Sequence, residues 1–385
     1  MNPELSNFAA RLRGMISSGS HEGCEVNDAP SQPSSSSRDN FGQEFPKFAL
    51  ELFALQFQHN PAYRKICESR KLTPQSIEHW TQIPTVPTAA FKELELTSIP
   101  PEERTTVFHS SGTTEQKPSR HFHCAESLAV YEASLWAGFG ENLLEKPEAR
   151  SQKSELICLT PPPVQAPHSS LVHMFDVVRK KMGADKTTFL GKIGDDGAWT
   201  LAFEATLVAL NSALRTPHSA LILGTAFSFV HLLDYLAENN LDFQLPNGSR
   251  VMETGGYKNR SRTMPKAELH SLIEKFLGVS QENILCEYGM SELSSQAYDR
   301  EARSQKSEVR SFHFPPWTRV QIISPETGRE VAEGETGLIR VFDLANVFSV
   351  AAIQTEDLGV RRGDGFELIG RAQLAEPRGC SLMTA

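Results

Sequence analysis

The sequence predicts an α/β fold with a largely parallel sheet flanked by helices, followed by a smaller β-rich subdomain. Three observations support this. Apolar runs of strand length alternate with helix-period patterns through the middle of the chain, as expected of strands joined by crossover helices. Past Phe312 the helical patterns stop, and short strand-like runs separated by turn-rich sequence replace them. A chain of 385 residues with 39% apolar and 22% charged residues is also long enough, and ordinary enough in composition, to enclose a large core.

Residues 1–43 read as a variable, partly flexible arm, because 17–43 are rich in Ser, Gly, Pro and Asn and hold the run Ser34-Ser35-Ser36-Ser37. The α/β core is placed at 44–310. Phe48, Leu50, Leu52, Phe53, Leu55 and Phe57 crowd an amphipathic helix that Asn60-Pro61 ends. A short helical piece follows at Ala89-Ala90-Phe91-Lys92. Leu156-Ile157-Cys158-Leu159 and Leu221-Ile222-Leu223 read as buried strands, and 127–139, 171–181, 201–210 and 229–238 as helices. Residues 311–371 form the β-rich part, with strands at Val320-Gln321-Ile322-Ile323 and at 337–342. Residues 372–385 are a tail.

Composition excludes several classes. Thirty-eight basic against 47 acidic residues give a net charge of −9, a poor basis for nucleic-acid binding, which needs clustered Lys and Arg. No stretch is apolar and long enough to span a bilayer, and the N-terminus carries no signal-type run. Six scattered cysteines without a CxxC pair suit a reducing cytoplasm. The histidines lack zinc-site spacing; His121 and His123 are expected on a strand.

Four segments carry chemistry. Ser110, Ser111, Gly112, Thr113 and Thr114 are five consecutive small residues, four of them hydroxylated, with Lys117 and Arg120 close behind. Hydroxyls and free N–H groups on a glycine-bearing path can wrap an anion, although a plain Ser/Thr surface loop has the same composition. Gly255 and Gly256 follow a strand-like run and precede Lys258; paired glycines at a strand end admit a ligand or make a tight turn. Tyr288-Gly289-Met290-Ser291-Glu292 follows another strand and offers an aromatic for a purine and a carboxylate for Mg²⁺; Ser291 could equally cap a helix. Asp357, with Arg371 further on, could hold ribose and reach phosphate.

That order of segments resembles the adenylate-forming superfamily, and within it the acyl-protein synthetases of bacterial bioluminescence, the LuxE family. The resemblance runs from about Phe45 to the C-terminus. Besides the four segments it includes Ala49-Leu50-Glu51-Leu52-Phe53, Asn60-Pro61-Ala62-Tyr63, Phe91-Lys92, Ser119-Arg120-His121, Ser169-Ser170-Leu171, Leu223-Gly224-Thr225, Leu344-Ala345-Asn346 and Arg378-Gly379-Cys380-Ser381-Leu382. It implies an adenylate-forming N-terminal-type domain without the mobile C-terminal lid of that superfamily. It also implies ATP and Mg²⁺ as cofactors: Ser110, Ser111, Gly112, Thr113 and Thr114 would cradle pyrophosphate, Gly255, Gly256, Tyr288, Gly289, Met290 and Ser291 would contact the nucleotide, Glu292 would position Mg²⁺, and Asp357 and Arg371 would hold the ribose side. With the lid lysine absent, Lys258 is the foremost substitute, ahead of Lys117 and Arg120. The sequence departs from the family in reading Gly-Thr-Thr-Glu, which sets Glu115 beside the phosphate path.

The implied activity is ATP-dependent activation of a carboxylic acid, fatty in the family, to acyl-AMP. Transfer to Cys380 follows as a thioester for an acyl-CoA-reductase-like partner. Phe227, Phe229 and Met174 are apolar residues near the presumed pocket. Two other readings stay open: transfer of the acyl group to coenzyme A or another small acceptor, and a nucleotide-binding scaffold without catalysis, for which Glu115 and the missing lid speak.

Overall fold

Twelve strands join into one mixed sheet, a larger continuous unit than the sequence suggests. The computed structural model describes residues 2–19, 36–110, 117–144, 154–184, 188–195, 197–256, 261–301 and 310–372.

The chain opens with α1 (Pro3–Gly19), α2 (Ser36–His59) and α3 (Pro61–Ser69). Asn60 ends α2 and caps α3, its side chain accepting from the Tyr63 N–H, with Pro61 at the first helical position where its missing N–H costs nothing. The helical arm corrects the expected boundary. Leu5, Phe8, Leu12 and Ile16 recur at helical spacing and are buried together with Phe41, Phe45 and Phe53, so packing begins well before residue 44.

After β1 (Val86–Pro87) and α4 (Ala90–Glu93) comes the hairpin of β2 (Thr106–His109) and β3 (Arg120–His123), in which His109 pairs with Arg120 and Phe108 with His121. Then α5 (Ala125–Leu143), β4 (Glu155–Cys158), α6 (Ser170–Met182) and β5 (Thr188–Phe189) begin the α/β part. A small hairpin, β6 (Gly191–Ile193) with β7 (Trp199–Leu201), leads to α7 (Phe203–Leu214), β8 (Ala220–Thr225), α8 (Ala226–Glu238), β9 (Arg250–Thr254), α9 (Lys266–Leu277) and β10 (Ile284–Tyr288).

Strands β5, β4, β8, β9 and β10 are parallel neighbours. Their alternating side chains divide the core as a two-residue period requires. Ile157, Ile222, Val251 and Ile284 meet α7, α8 and α9 on one face. Leu156, Cys158, Leu221, Leu223 and Met252 meet α5 and α6 on the other. Phe229 and Met174, both named as apolar candidates for an acyl pocket, fall in these two separate layers, so they line no common cavity.

The later strands are β11 (Ala297–Glu301), β12 (Arg310–His313), β13 (Thr318–Ile323), β14 (Thr336–Asp343), β15 (Ala352–Arg362) and β16 (Gly365–Arg371). They extend the same sheet antiparallel from β10 in the order β11, β12, β16, β15, β14, β13. The expected β-rich part of the core is therefore the antiparallel half of the same sheet. Among the described residues no helix is long and apolar enough to cross a membrane, and Cys67, Cys124, Cys158 and Cys286 are free and buried.

Candidate active site

The site lies where the parallel half of the sheet meets the antiparallel half. Strands β9 and β10 run in register, Thr254 opposite Glu287, which sets Gly255 level with Tyr288 at the carboxyl ends of both strands. Gly255 has φ +70, a left-handed conformation that favours glycine. No helix follows β10, contrary to the capping alternative for Ser291. The chain makes a turn over 289–296 and returns as β11.

Glu287 fixes that turn from below. Its carboxylate accepts the Thr254 hydroxyl across the strand pair, and a Cβ on Gly289 would collide with Glu287 Oε1. Burial pushes the Glu287 carboxyl up to about 7, against the opposing Thr254 hydroxyl, with Glu253 adding to the rise.

The base of the hydroxyl loop reaches the same turn. Ser110 leaves β2 and its Oγ accepts the Ser119 N–H at 3.0 Å. Ser119 Oγ lies 3.4 Å from Ser291 Oγ, and Ser291 Oγ donates to Glu292 Oε2 at 3.0 Å. A carboxylate only accepts, so the hydrogens run from Ser119 to Ser291 to Glu292. Glu292 is 5% exposed, and among the described residues no basic side chain pairs with it. A buried carboxylate that accepts one hydroxyl and, among the described residues, has no basic partner suits a hard cation shared with phosphate oxygens. Among the described residues no cluster of three or more His, Cys, Asp and Glu could hold a metal unaided, so Mg²⁺ here would need phosphate as co-ligand.

Tyr288 turns the other way. Its ring packs edge-on with Phe312, Phe314 and Phe366 at 5.2–6.2 Å and is 6% exposed. Its hydroxyl donates to Asp357 Oδ2 at 2.9 Å, while Arg371 Nε stands 3.6 Å from Oδ1 and is 81% exposed. Strand pairing sets Asp357 opposite Arg371, so the expected ribose-side pair is adjacent. Burial raises the Asp357 carboxyl, opposed by the Tyr288 hydroxyl and Arg371. The expected place for the Tyr288 ring, stacked on a purine, contrasts with its observed packing; its hydroxyl is the group that reaches the site.

Ser111, Gly112, Thr113, Thr114, Glu115, Lys258 and Cys380 lie outside the described residues. Of the other basic candidates, Lys117 pairs with Glu93 at 3.3 Å and Arg120 with Glu95 at 3.3 Å. Both are drawn toward surface carboxylates at the end of α4 and just beyond it.

Sequence reasoning overlooked the support beneath the turn. Asp343, 0% exposed, accepts from Ser294 N, Ser295 Oγ and Ala345 N at 2.7–2.9 Å. Asn346 Nδ2 donates to Glu292 O at 2.9 Å. The available signal was two polar residues inside the apolar run Val341-Phe342-Asp343-Leu344-Ala345-Asn346-Val347-Phe348, since an interior tolerates such groups only when they are bonded.

A mixed sheet with helices on both faces of its parallel half, hydroxyls and a carboxylate at the strand ends, and an Asp–Arg pair beside them make up an α/β core with a candidate site at the join of its two halves. The solved structures agree in fold. The chain is similar to 2-hydroxyisobutyryl-CoA ligase in its postadenylation state with 2-HIB-AMP, with a TM-score of 0.63 and 15% identity, covering 90% of this chain and 73% of that one. An open conformation of that ligase with 2-HIB-AMP and CoA gives a TM-score of 0.61 and 15% identity, covering 90% and 75%. The chain belongs to the acyl-protein synthetase, LuxE, family, which matches residues 20–385, and is thus a ligase. The match starts earlier than the resemblance first marked, near Phe45. Curated relatives are the long-chain-fatty-acid–luciferin-component ligases of Aliivibrio fischeri, 25% identical over 352 residues with 88% of this chain and 87% of the relative covered, and of Vibrio harveyi, 24% identical over 342 residues with 86% and 84% covered.

Proposed function

We propose that this ligase uses ATP and Mg²⁺ to convert a long-chain fatty acid into acyl-AMP in the cytoplasm, then takes the acyl group onto Cys380 and passes it to a reductase-type partner. The observation that carries the reading is the junction of three distant segments. Ser110 is tied to Ser119, Ser119 to Ser291 and Ser291 to Glu292, and three residues before Ser291 the Tyr288 hydroxyl donates to Asp357, which also faces Arg371.

A carboxylate oxygen of the acid attacks the α-phosphorus of ATP, and the bond to the β-phosphate oxygen breaks, releasing pyrophosphate. Alignment and charge neutralisation are the main demands on the protein in such a step. Ser110, Ser111, Gly112, Thr113 and Thr114 would bind the departing pyrophosphate. Gly255, Gly256, Gly289 and Met290 would form the floor that admits the nucleotide. Asp357, oriented by Tyr288 and Arg371, would hold the ribose. Glu292 is the residue that would hold Mg²⁺, which when bound supplies positive charge against the phosphates. Lys258, beside Gly256 in sequence, is our candidate for the cation nearest the reacting carboxylate.

In the second step the Cys380 thiolate attacks the acyl carbonyl, the carbon–oxygen bond to AMP breaks, and a thioester forms. The thiol proton goes to solvent. Arg378 beside it favours the thiolate.

The test uses the full chain with ATP and radiolabelled palmitate. Wild type is expected to exchange pyrophosphate and retain label on protein. Cys380→Ser should exchange pyrophosphate but retain no label; equal labelling of that variant removes Cys380 as the carrier. Label appearing only on added coenzyme A would favour the small-acceptor alternative.

A further inference from the structure

Glu292 can position a cation only if its own backbone is held. Two side chains from unrelated segments grip consecutive peptide carbonyls at that point. On one side His121, from β3, has Nδ1 at 2.8 Å from the Ser291 carbonyl oxygen. A carbonyl has no hydrogen to give, so Nδ1 carries the proton and donates. On the other side Asn346 donates Nδ2 to the Glu292 carbonyl at 2.9 Å and to the Val350 carbonyl at 3.0 Å, while its Oδ1 accepts the Ser294 hydroxyl at 2.7 Å. Two carbonyls before Nδ2 settle the orientation of the amide. His121 is 3% exposed and Asn346 1%, so neither bond faces competition from solvent.

The hairpin makes the His121 contact informative. In β3 the outward positions are Arg120 and Phe122, and Phe122 lies under the guanidinium groups of Arg104 and Arg120 at 4.4 and 5.5 Å. The inward positions are the histidines 121 and 123. A strand that directs imidazoles inward and a phenylalanine outward reverses the usual pattern, and the inward imidazole ends on the turn that carries Glu292.

We propose that His121 and Asn346 are positioning residues that clamp the carbonyls of Ser291 and Glu292, fixing the Glu292 carboxylate relative to the Ser110–Ser119 base of the phosphate-binding hairpin. The assignment rests on the adenylation reading above. His121 ties the turn to the hairpin, and Asn346 ties it to the antiparallel half of the sheet. Burial holds the His121 imidazole down at about 4, against the Ser291 carbonyl, so the clamp keeps one protonation state at neutral pH.

The test is pyrophosphate exchange with ATP and palmitate across a Mg²⁺ titration, on the full chain. The amide nitrogen of Asn can occupy the place of imidazole Nδ1, whereas that of Gln reaches about one bond further. His121→Asn is expected to stay within about threefold of wild type. His121→Gln, His121→Ala and Asn346→Ala should lose roughly 10–100-fold, the usual cost of removing a group that orients a metal-binding residue, and should need more Mg²⁺ for half-maximal rate with the KM for palmitate unchanged. A purely structural role would lower the melting temperature and active fraction without moving the Mg²⁺ midpoint, and Asn would rescue no better than Gln. Equal Asn and Gln variants, or an unmoved midpoint in folded His121→Ala, overturn the clamp. Should wild type itself exchange no pyrophosphate with any fatty acid, the adenylation reading falls and takes the clamp with it.

Discussion

The residue with the sharpest chemical signature is Glu287, which lies beneath the turn over 289–296 rather than in it. Its buried carboxyl accepts from Thr254 and lies against Gly289, its charge bears on the Tyr131 and Tyr298 hydroxyls, and the nearby Glu253 adds negative charge. Its folded value of about 7 exceeds the ordinary 4.5. Between those values the native chain therefore binds a proton that the unfolded chain has released, and stability falls as pH rises from about 4.5 to about 7. Glu287→Gln keeps the acceptor for Thr254 and removes the titration. Urea unfolding at about pH 5 and about pH 7 should show a shallower decline in the variant, by up to one proton or about 1.4 kcal/mol per pH unit. Identical slopes would mean that Glu287 stays ionised in the native state.

At the scale of elements, α1 is the correction of most consequence. Its apolar residues recur at helical spacing, but the polar stretch behind it disguised the helix as part of a loose arm. Phe8 is fully buried and meets Phe48 at 5.4 Å. Phe8→Ala is expected to cost about 3–5 kcal/mol, measured by chemical denaturation; a change under about 1 kcal/mol would show that α1 adds little to the core. The parallel half of the sheet was legible because strands such as Ala220–Thr225, buried at every position, read as unbroken apolar runs. The continuation into the antiparallel half was not, since the pairing of β12 with β16, Phe312 opposite Phe366, is non-local and leaves no periodicity. The site shows the same division. Ser110, Glu292 and Asp357 stand in recognisable local patterns, whereas Asn346 acts through a contact 54 residues distant in sequence.

At the scale of the molecule, the α/β part and the β-rich part that the change of texture implied are the two halves of one sheet. A chain ending at residue 310 would lose β12 to β16, leaving β11 as a bare edge and Tyr288 without Phe312, Phe314 and Phe366. Such a truncation is expected to unfold without a cooperative transition in near-ultraviolet dichroism; a sharp melt would show that the halves are independent domains after all. Strand β16, inside the sheet between β15 and β12, also sets a leash. The last described residue, Ala372, is pinned through its N–H to the Glu356 carbonyl at 2.9 Å, next door to Asp357. Cys380 is the eighth residue beyond it, at most about 28 Å of extended chain away. Under the proposed function, an acyl group on that thiol would stay within that reach of Asp357, so loading would be governed by tether geometry rather than by how concentrated the protein is.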